Sequence, residues 1–351
     1  MVVGIIKTIV LIDVKFFGAV LFQIGYWIIS LYRKSNKQHM RFDKYCAQID
    51  SLNTDDATKN AMHESFTRRM ELFGNNLLFF REPFTPISLT GTRCFLKCKH
   101  CDSHYLAHML DGSNGKLRSC AHRLAGMGAN GILLSGGSLA DGSVPTYLQA
   151  DEIAQIKKDT HLKISAHTGI VNMGQAELLS KYLDMALVDV IGDDETIHDI
   201  LGLSASVQDY ENTLSRLSSF GTRLAPHIIV GLHNVELKGE IRALEIARKF
   251  NPDVVVIVVF IPTKGTASQG AQPPGIEDVV RVITKAREMF DVPLSLSCVR
   301  PGGRYRSMLD KYAVLGGIDR MAVPSRSAYR TGQDIGLNII EIPKMCCSYG
   351  V

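Results

Sequence analysis

Short runs rich in Val, Ile and Leu alternate along this 351-residue chain with longer segments whose apolar residues recur every three or four positions. The short runs predict strands, and the longer segments predict amphipathic helices. The predicted strands are Ile87–Thr90, Gly131–Leu134, Leu162–Ala166, Leu187–Ile191, His227–Val230, Val254–Phe260, Leu294–Ser297 and Met321–Val323. Eight successive strand–helix units predict an α/β fold, a (βα)8 TIM-type barrel of parallel strands with an N-terminal helical extension.

The pattern before the first predicted strand differs. Apolar residues at three- and four-residue steps predict an entry helix between residues 53 and 80. Residues 1–32 are strongly apolar, but the uncharged part, 16–32, has only 17 residues and is marginal for crossing a bilayer. Four basic residues follow it, which would keep the rest of the chain in the cytoplasm if the segment inserted. Membrane contact through residues 1–35 and packing on the folded body both remain open.

This pattern divides the chain into three parts. Residues 1–45 form an apolar N-terminal helix and candidate membrane anchor, 46–82 a helical lead-in, and 83–351 the barrel with a C-terminal cysteine tail. A hydrophobic content of 46% allows a large core, and a net charge of +4 without a Lys/Arg stripe argues against nucleic acid as a partner. Eight cysteines in an enzyme-sized chain favour a reducing, cytoplasmic compartment and metal binding over disulfides.

Chemically reactive residues cluster where the predicted strands end, which is where a barrel builds its active site. The first strand is followed by Cys94, Cys98 and Cys101, a C-x3-C-x2-C run. Three thiolates on one loop can hold a four-iron cluster while leaving one iron open to a small chelating molecule. A zinc site would need a fourth ligand, and His100, lying between two of the cysteines, is expected to be poorly placed to serve.

Other strand ends carry candidate cofactor-binding residues. His167 ends the third strand, where it can contact a ligand carboxylate, contact the substrate or pack against the barrel wall. Asp193 and Asp194 follow the fourth strand and can accept ribose hydroxyls, although for Asp194 capping of the next helix is an equal alternative. Cys298 and Arg300 follow the seventh strand and are expected to face the same cavity as the first three cysteines.

Several segments together resemble a known family. They are ISLTGTRCFLKCKHC, GILLSGGSLADGSVP, ISAHTGIV, VDVIGDDETIHDILGL, PHIIVGLH and CVRPGGRYRSMLDKYAVLGGIDRMAVPS. Over residues 64 to 351 the chain is similar to radical S-adenosylmethionine (SAM) proteins, in the biotin-synthase-related, archaeal-type group that includes the two-component lipoyl synthases. The resemblance implies a SAM-binding 4Fe-4S cluster on Cys94, Cys98 and Cys101.

The resemblance also implies roles for other residues. The segment Ser135, Gly136, Gly137 and Ser138 would hold the methionine amino group, with Ser138 in place of the family's usual acidic residue. Gly231 would lie along the adenine. Pro262 begins a loop that resembles the Pro-x-x-Gly-Thr loop of biotin synthase relatives, the alternative being an ordinary turn.

A second iron–sulfur cluster, a sulfur source in this family, is predicted at Cys298, Cys346 and Cys347, if the C-terminal tail folds back over the barrel mouth. Cys120, Ser348 or a nonprotein ligand would complete it. The implied activity is reductive SAM cleavage for sulfur insertion into a protein-bound octanoyl chain. Implied partners are an electron donor such as ferredoxin or flavodoxin, a paralogous radical SAM protein and a lipoyl-domain substrate. The alternatives are another cofactor pathway, such as hydrogenase cofactor assembly, and a non-catalytic metal-binding barrel.

Overall fold

A computed structural model describes residues 42–233 and 235–349. The chain divides into two compact units, Met1–Ser51 and Leu52–Val351. In the first unit the described part is a helix over residues 42–50, which we name α1. The apolar segment before it, with its predicted membrane contact, lies outside the described residues. Within the described residues, no helix combines the length and apolar character needed to cross a membrane.

The second unit contains a single parallel sheet. Its strands are β1 Asn76–Phe80, β2 Thr85–Ser88, β3 Leu110–Asp111, β4 Gly131–Ser135, β5 Lys163–His167, β6 Met185–Asp189, β7 Leu224–Val230, β8 Val255–Val259, β9 Leu294–Leu296, β10 Arg320–Ala322 and β11 Asn338–Ile342. In the described residues these eleven strands follow the order β11-β1-β10-β9-β8-β7-β6-β5-β4-β2-β3.

Helices connect most of the strands. They are α2 Asp56–Phe73, α3 Leu117–Gly126, α4 Ala150–Asp159, α5 Met173–Ser180, α6 Asp194–Thr196, α7 Val207–Ser219, α8 Glu240–Arg248, α9 Ile276–Met289, α10 Gly303–Leu315 and α11 Arg326–Asp334. Short 3₁₀ turns at His104–His108 and Pro145–Gln149 and a π-helical turn at Ile197–Leu201 lie in the loops.

All eight predicted strands are present, each within a few residues of its predicted bounds, and every pair in the sheet is parallel. The predicted closed eight-stranded ring differs from the described sheet, which has eleven strands and two edges, β3 and β11. The predicted helix between residues 53 and 80 ends at Phe73, because Gly74 takes a left-handed conformation and β1 begins two residues later.

The sheet curls around the C-terminal tail, residues 343–349. Met345 packs against side chains of β1 and β10 and also against a cluster that includes Leu133 of β4. In a flat sheet, strands seven places apart would be about 33 Å from each other, at 4.7–4.9 Å per step. Leu133 of β4 and Met345 pack against one core cluster, and Met345 also packs against β1 and β10, as expected of a curled sheet. The tail therefore folds back onto the concave face of the sheet. Contrary to the prediction, it does not cover the mouth, because Tyr349 contacts Arg320 and Arg223, which lie where β10 and β7 begin.

Candidate active site

The three cysteines of the C-x3-C-x2-C run lie in the loop that follows β2. Ligand atoms of Cys98, His100 and Cys101 all lie within 4.8 Å of one another. The expectation that His100 is poorly placed was therefore wrong. Among described residues Cys94 does not join this compact group. Ligands of a four-iron cluster bind separate irons, so they are spaced more widely than ligands of one ion.

The glycine segment after β4 supports this loop directly. Leu89 N–H donates to the Ser135 carbonyl (2.8 Å), Phe95 N–H donates to the Ser138 carbonyl (2.9 Å), and Gly137 N–H donates to Thr90 Oγ1 (2.8 Å). A Cβ on Gly137 would come within 2.1 Å of the Arg93 carbonyl oxygen. The structure thus brings the Ser135–Ser138 segment against the cysteine loop, and only glycine fits at position 137.

Two further loops hold the other side of the cysteine loop. Lys99 N–H donates to the Ile200 carbonyl (2.8 Å), and Ser268 N–H donates to the Lys99 carbonyl (3.0 Å). The Tyr105 hydroxyl lies 2.7 Å from Thr263 Oγ1, immediately after Pro262. The cysteine loop therefore joins the loops that follow β4, β6 and β8. These are three of the strand ends that the sequence had assigned to one site.

Two of the cysteines share a proton. The hydrogen bond from Cys98 lowers the pKa of the Cys101 thiol to about 4, and nearby His100 lowers it further against the opposing effect of burial. The same hydrogen bond, together with burial, raises the pKa of Cys98. Because the thiolate is the form that binds metal, coordination by both sulfurs would displace the proton that they share.

Asp193 and Gly231 have clear structural roles. The Asp193 carboxylate caps α6, accepting from Thr196 N–H (2.8 Å) and from its hydroxyl (2.7 Å). The cap that was expected of Asp194 is thus made by Asp193. Gly231 has a φ of 78°, and its N–H donates to Glu240 Oε1 at 2.8 Å. Glu240, which sequence reasoning missed, therefore fixes this turn. Binding of ribose by Asp193 and of adenine beside Gly231 stays a prediction.

His167 belongs to a cluster with two residues that were not predicted as site residues, Asp189 and His227. His167 Nδ1 lies 3.6 Å from Asp189 Oδ2, and the rings of His167 and His227 are 5.4 Å apart. Burial alone would lower the pKa of His167, but the Asp189 carboxylate outweighs it and raises that pKa. Burial alone would raise the pKa of Asp189, but His167 and His227 hold it at about 2.

His227 behaves differently from His167. Burial, and then the charge of His167, lower the pKa of His227 to about 4, so its ring is neutral at physiological pH. The cluster thus holds an ionised carboxylate beside one imidazole that gains a proton readily and one that resists protonation. Binding of SAM or substrate by His167 stays a prediction.

Cys346 and Cys347 lie inside the curled sheet, and the exposed Cys298 is near enough to interact electrostatically with Cys346. Burial, and then the charge of Cys346, raise the pKa of Cys298. A hydrogen bond from Cys347 lowers the pKa of Cys346 to about 6. The same hydrogen bond, together with burial, raises the pKa of Cys347, and the charges of Cys346 and Cys298 raise it further. Ser348 Oγ lies 3.0 Å from Cys346 Sγ. Three thiols and a hydroxyl are a suitable donor set for iron, although the three sulfurs are not all within 4.8 Å of one another.

Two neighbouring expectations are corrected. The Cys120 thiol is on α3 and donates to the Asp111 carbonyl at 3.5 Å, so it is engaged outside this interior group. Arg300 is 1% exposed, and its guanidinium binds the Asp310 carboxylate through two nitrogens, at 2.8 and 3.2 Å. It also donates to the Ala322 carbonyl. Arg300 therefore joins β9, β10 and α10 instead of facing the cavity.

No protein-family model matches the sequence, and no curated protein matches it. Solved structures do match. Methylornithine synthase (PylB) aligns with a TM-score of 0.60 and 16% identity, covering 84% of this chain and 93% of that chain. The chain shares its fold. HydG, a maturase of the FeFe-hydrogenase, aligns with a TM-score of 0.61 and 13% identity, and the alignment covers 87% of this chain and 75% of that chain. HydG from Carboxydothermus hydrogenoformans aligns with a TM-score of 0.59 and 15% identity, and this alignment covers 86% of this chain and 74% of that chain.

Proposed function

We propose that this protein is a radical SAM enzyme. The observation that carries the proposal is the loop after β2, which bears Cys94, Cys98 and Cys101 and packs on Gly137 through Arg93 and Cys94. Both named structural neighbours, methylornithine synthase and HydG, are radical SAM enzymes. When bound, a 4Fe-4S cluster with one open iron supplies the electron that splits SAM into methionine and a 5′-deoxyadenosyl radical.

The protein's own residues would bind SAM and shield the reaction. The absence of a side chain at Gly136 and Gly137 lets backbone groups approach the methionine amino group. The turn that Glu240 fixes at Gly231 would support the adenine, and the loop after Pro262 would close the site from the β8 side. A ligand held on the concave face of the curled sheet would be partly shielded from water, which would limit side reactions.

The test is anaerobic reconstitution with iron and sulfide, followed by dithionite and SAM. Wild type should form 5′-deoxyadenosine, and a variant with alanine at Cys94, Cys98 and Cys101 should form none. The non-catalytic alternative has its own support, because His100 lies near Cys98 and Cys101 and could complete a zinc site. Zinc in the purified protein, with no dithionite-dependent product after reconstitution, would favour that alternative and contradict the proposal.

Within this class we favour sulfur insertion into an unactivated alkyl carbon, as in a lipoyl synthase component acting on a protein-bound octanoyl chain. Support comes from Cys298, Cys346 and Cys347, which could hold a second, sulfur-donating cluster on the concave face. An electron donor such as ferredoxin or flavodoxin, a paralogous partner and a lipoyl-domain substrate belong to this proposal.

Metal analysis tests the second cluster separately. Replacing Cys298, Cys346 and Cys347 by alanine should remove about half of the iron while leaving dithionite-dependent 5′-deoxyadenosine formation in place. Unchanged iron content would exclude a second cluster at this position. The fold match to HydG favours a second candidate, a step in hydrogenase cofactor assembly, which does not require a sacrificial sulfide. A single cluster in an active enzyme would support that candidate.

A further inference from the structure

Asp189, His167 and His227 lie on adjacent strands and share the concave face of the sheet. Asp189 pairs with His227 in the β6–β7 register, and His167 pairs with Leu187 in the β5–β6 register. Met185 and Leu187 in β6, and Ala225 and Ile229 in β7, belong to the concave core cluster. Because side chains alternate along a strand, Asp189 and His227 point to the same side as these residues.

These three residues lie between the two groups of cysteines. The charge of His100, in the cysteine loop, contributes to lowering the pKa of Asp189, and the charge of Cys346, in the tail, contributes to raising the pKa of His167. The Asp189 side chain is 47% accessible even though it points toward the interior. An accessible side chain on the concave face borders open space, so a ligand can reach the carboxylate.

The cluster holds more acceptors than donors. His227 Nδ1 lies 2.8 Å from the Ala225 carbonyl, which can only accept, so Nδ1 carries the proton and Nε2 of the neutral ring is an acceptor. His167 is the described ion-pair partner of Asp189, with Nδ1 3.6 Å from Oδ2, and among described residues none donates a hydrogen bond to Oδ1. A ligand that binds here must therefore bring its own donors.

We infer that Asp189 and His227, flanked by His167, bind a primary ammonium group of the substrate. An ammonium ion has three donors and a positive charge, which match a carboxylate and an imidazole nitrogen. The side chains of Leu133 and Ile229 pack against the same core cluster and are only partly buried, so the carbon chain attached to the nitrogen can lie against them. The ligand class is an aliphatic primary amine. The assignment of this ligand as the substrate rests on the proposed function.

The amino group of SAM is the competing source of the same chemistry, so the experiment must separate the two. Calorimetry on the reconstituted holoenzyme compares n-hexylammonium with 1-hexanol, which has the same chain length and no charge, with and without SAM. Asp189→Asn removes the charge and should fold normally, because asparagine has the same size and keeps an acceptor oxygen for His167. Asp334→Asn is the matched control, since Asp334 is an exposed residue on α11.

Wild type and the Asp334→Asn control should bind hexylammonium at least tenfold more tightly than hexanol, with SAM present. Asp189→Asn should erase that preference while changing the Kd for SAM by less than threefold. His227→Asn, which keeps a donor for Ala225 and loses the Nε2 acceptor, should weaken hexylammonium binding several-fold. It provides the same test if Asp189→Asn fails to fold.

Three outcomes would overturn the inference. The first is that wild type binds the two probes equally or binds neither detectably. The second is that Asp189→Asn keeps the preference for hexylammonium over hexanol. The third is that Asp189→Asn loses tenfold in SAM affinity, which would assign the carboxylate to SAM. The proposed function is read separately from dithionite-dependent 5′-deoxyadenosine formation by wild type. If wild type forms none while hexylammonium binding depends on Asp189, the radical SAM proposal fails and the amine site stands.

Discussion

One methyl group added at Gly137 should displace the cysteine loop. In Gly137→Ala the new Cβ would lie 2.1 Å from the Arg93 carbonyl oxygen and 2.5 Å from Cys94 Cα. Ordinary contacts of a Cβ begin at 3.4 Å, so the oxygen would have to retreat by about 1.3 Å, the difference between the two distances. Both obstacles are backbone atoms and cannot rotate away. A displacement of about 1 Å costs on the order of 10²-fold in rate, or about 2.7 kcal/mol in the barrier.

The assay measures bound iron after anaerobic reconstitution and then dithionite-dependent 5′-deoxyadenosine formation. Gly137→Ala should lose most of the iron held by the loop and about 100-fold in rate. Gly136→Ala is the matched control for iron content, because its nearest neighbours are Thr90 side-chain atoms at 3.3 Å. Neither glycine is among the residues with positive φ, so alanine fits both backbone conformations. Iron content and rate within threefold of wild type in Gly137→Ala would refute the reasoning.

Three further substitutions test other parts of the structure. Arg300→Lys should lower the free energy of unfolding in urea by about 1.5–3 kcal/mol, because lysine cannot reproduce both bonds to Asp310; a loss below about 0.5 kcal/mol would contradict this. His227, with a pKa near 4, stabilises the fold above about pH 6.5, and this contribution is lost as pH falls toward 4, because the unfolded chain takes up the proton first. Urea unfolding between pH 7.5 and 4.5 measures the free energy of unfolding of wild type and of His227→Asn. The difference between the two proteins should shrink by up to about 3 kcal/mol as the pH is lowered, and a pH-independent difference would contradict the assigned role of His227. Tyr105→Phe removes the bond to Thr263, so a chelator should extract iron several-fold faster; an unchanged extraction rate would be the negative result.

The buried parallel strands could be predicted because each is a continuous apolar run, as strands covered on both faces must be. The three missed strands lack that signal. β3 has only two residues, and β11 alternates between exposed and half-buried positions at a sheet edge. β1, with the sequence NLLFF, follows α2 closely and continues its apolar character, so it was assigned to the helix.

The site could be predicted where the chain brings residues together locally, and not where strand register decides. Cys98 and Cys101 share one loop, so spacing alone predicts that they meet, whereas Cys94 in the same loop does not join their compact group. Asp189 could not be found in this way, because its partner His227 lies 38 positions away and the two meet only through the β6–β7 register. Glu240 offered one signal, an acidic residue at the start of an amphipathic helix after a glycine turn.

The charge on the concave face bears on the choice between substrates. An octanoyl chain is apolar along its length, and laying it across Asp189 would strip water from an accessible, ionised carboxylate whose described ion-pair partner, His167 Nδ1, lies 3.6 Å away. That loss of hydration opposes binding, and a few methylene contacts at about 0.8 kcal/mol each would have to offset it. A substrate with an N–H donor near its reacting carbon avoids that cost. If octanoyl transfer is nevertheless the reaction, the chain must lie along Leu133 and Ile229 and leave Asp189 in water, and Asp189→Asn should then not impair turnover.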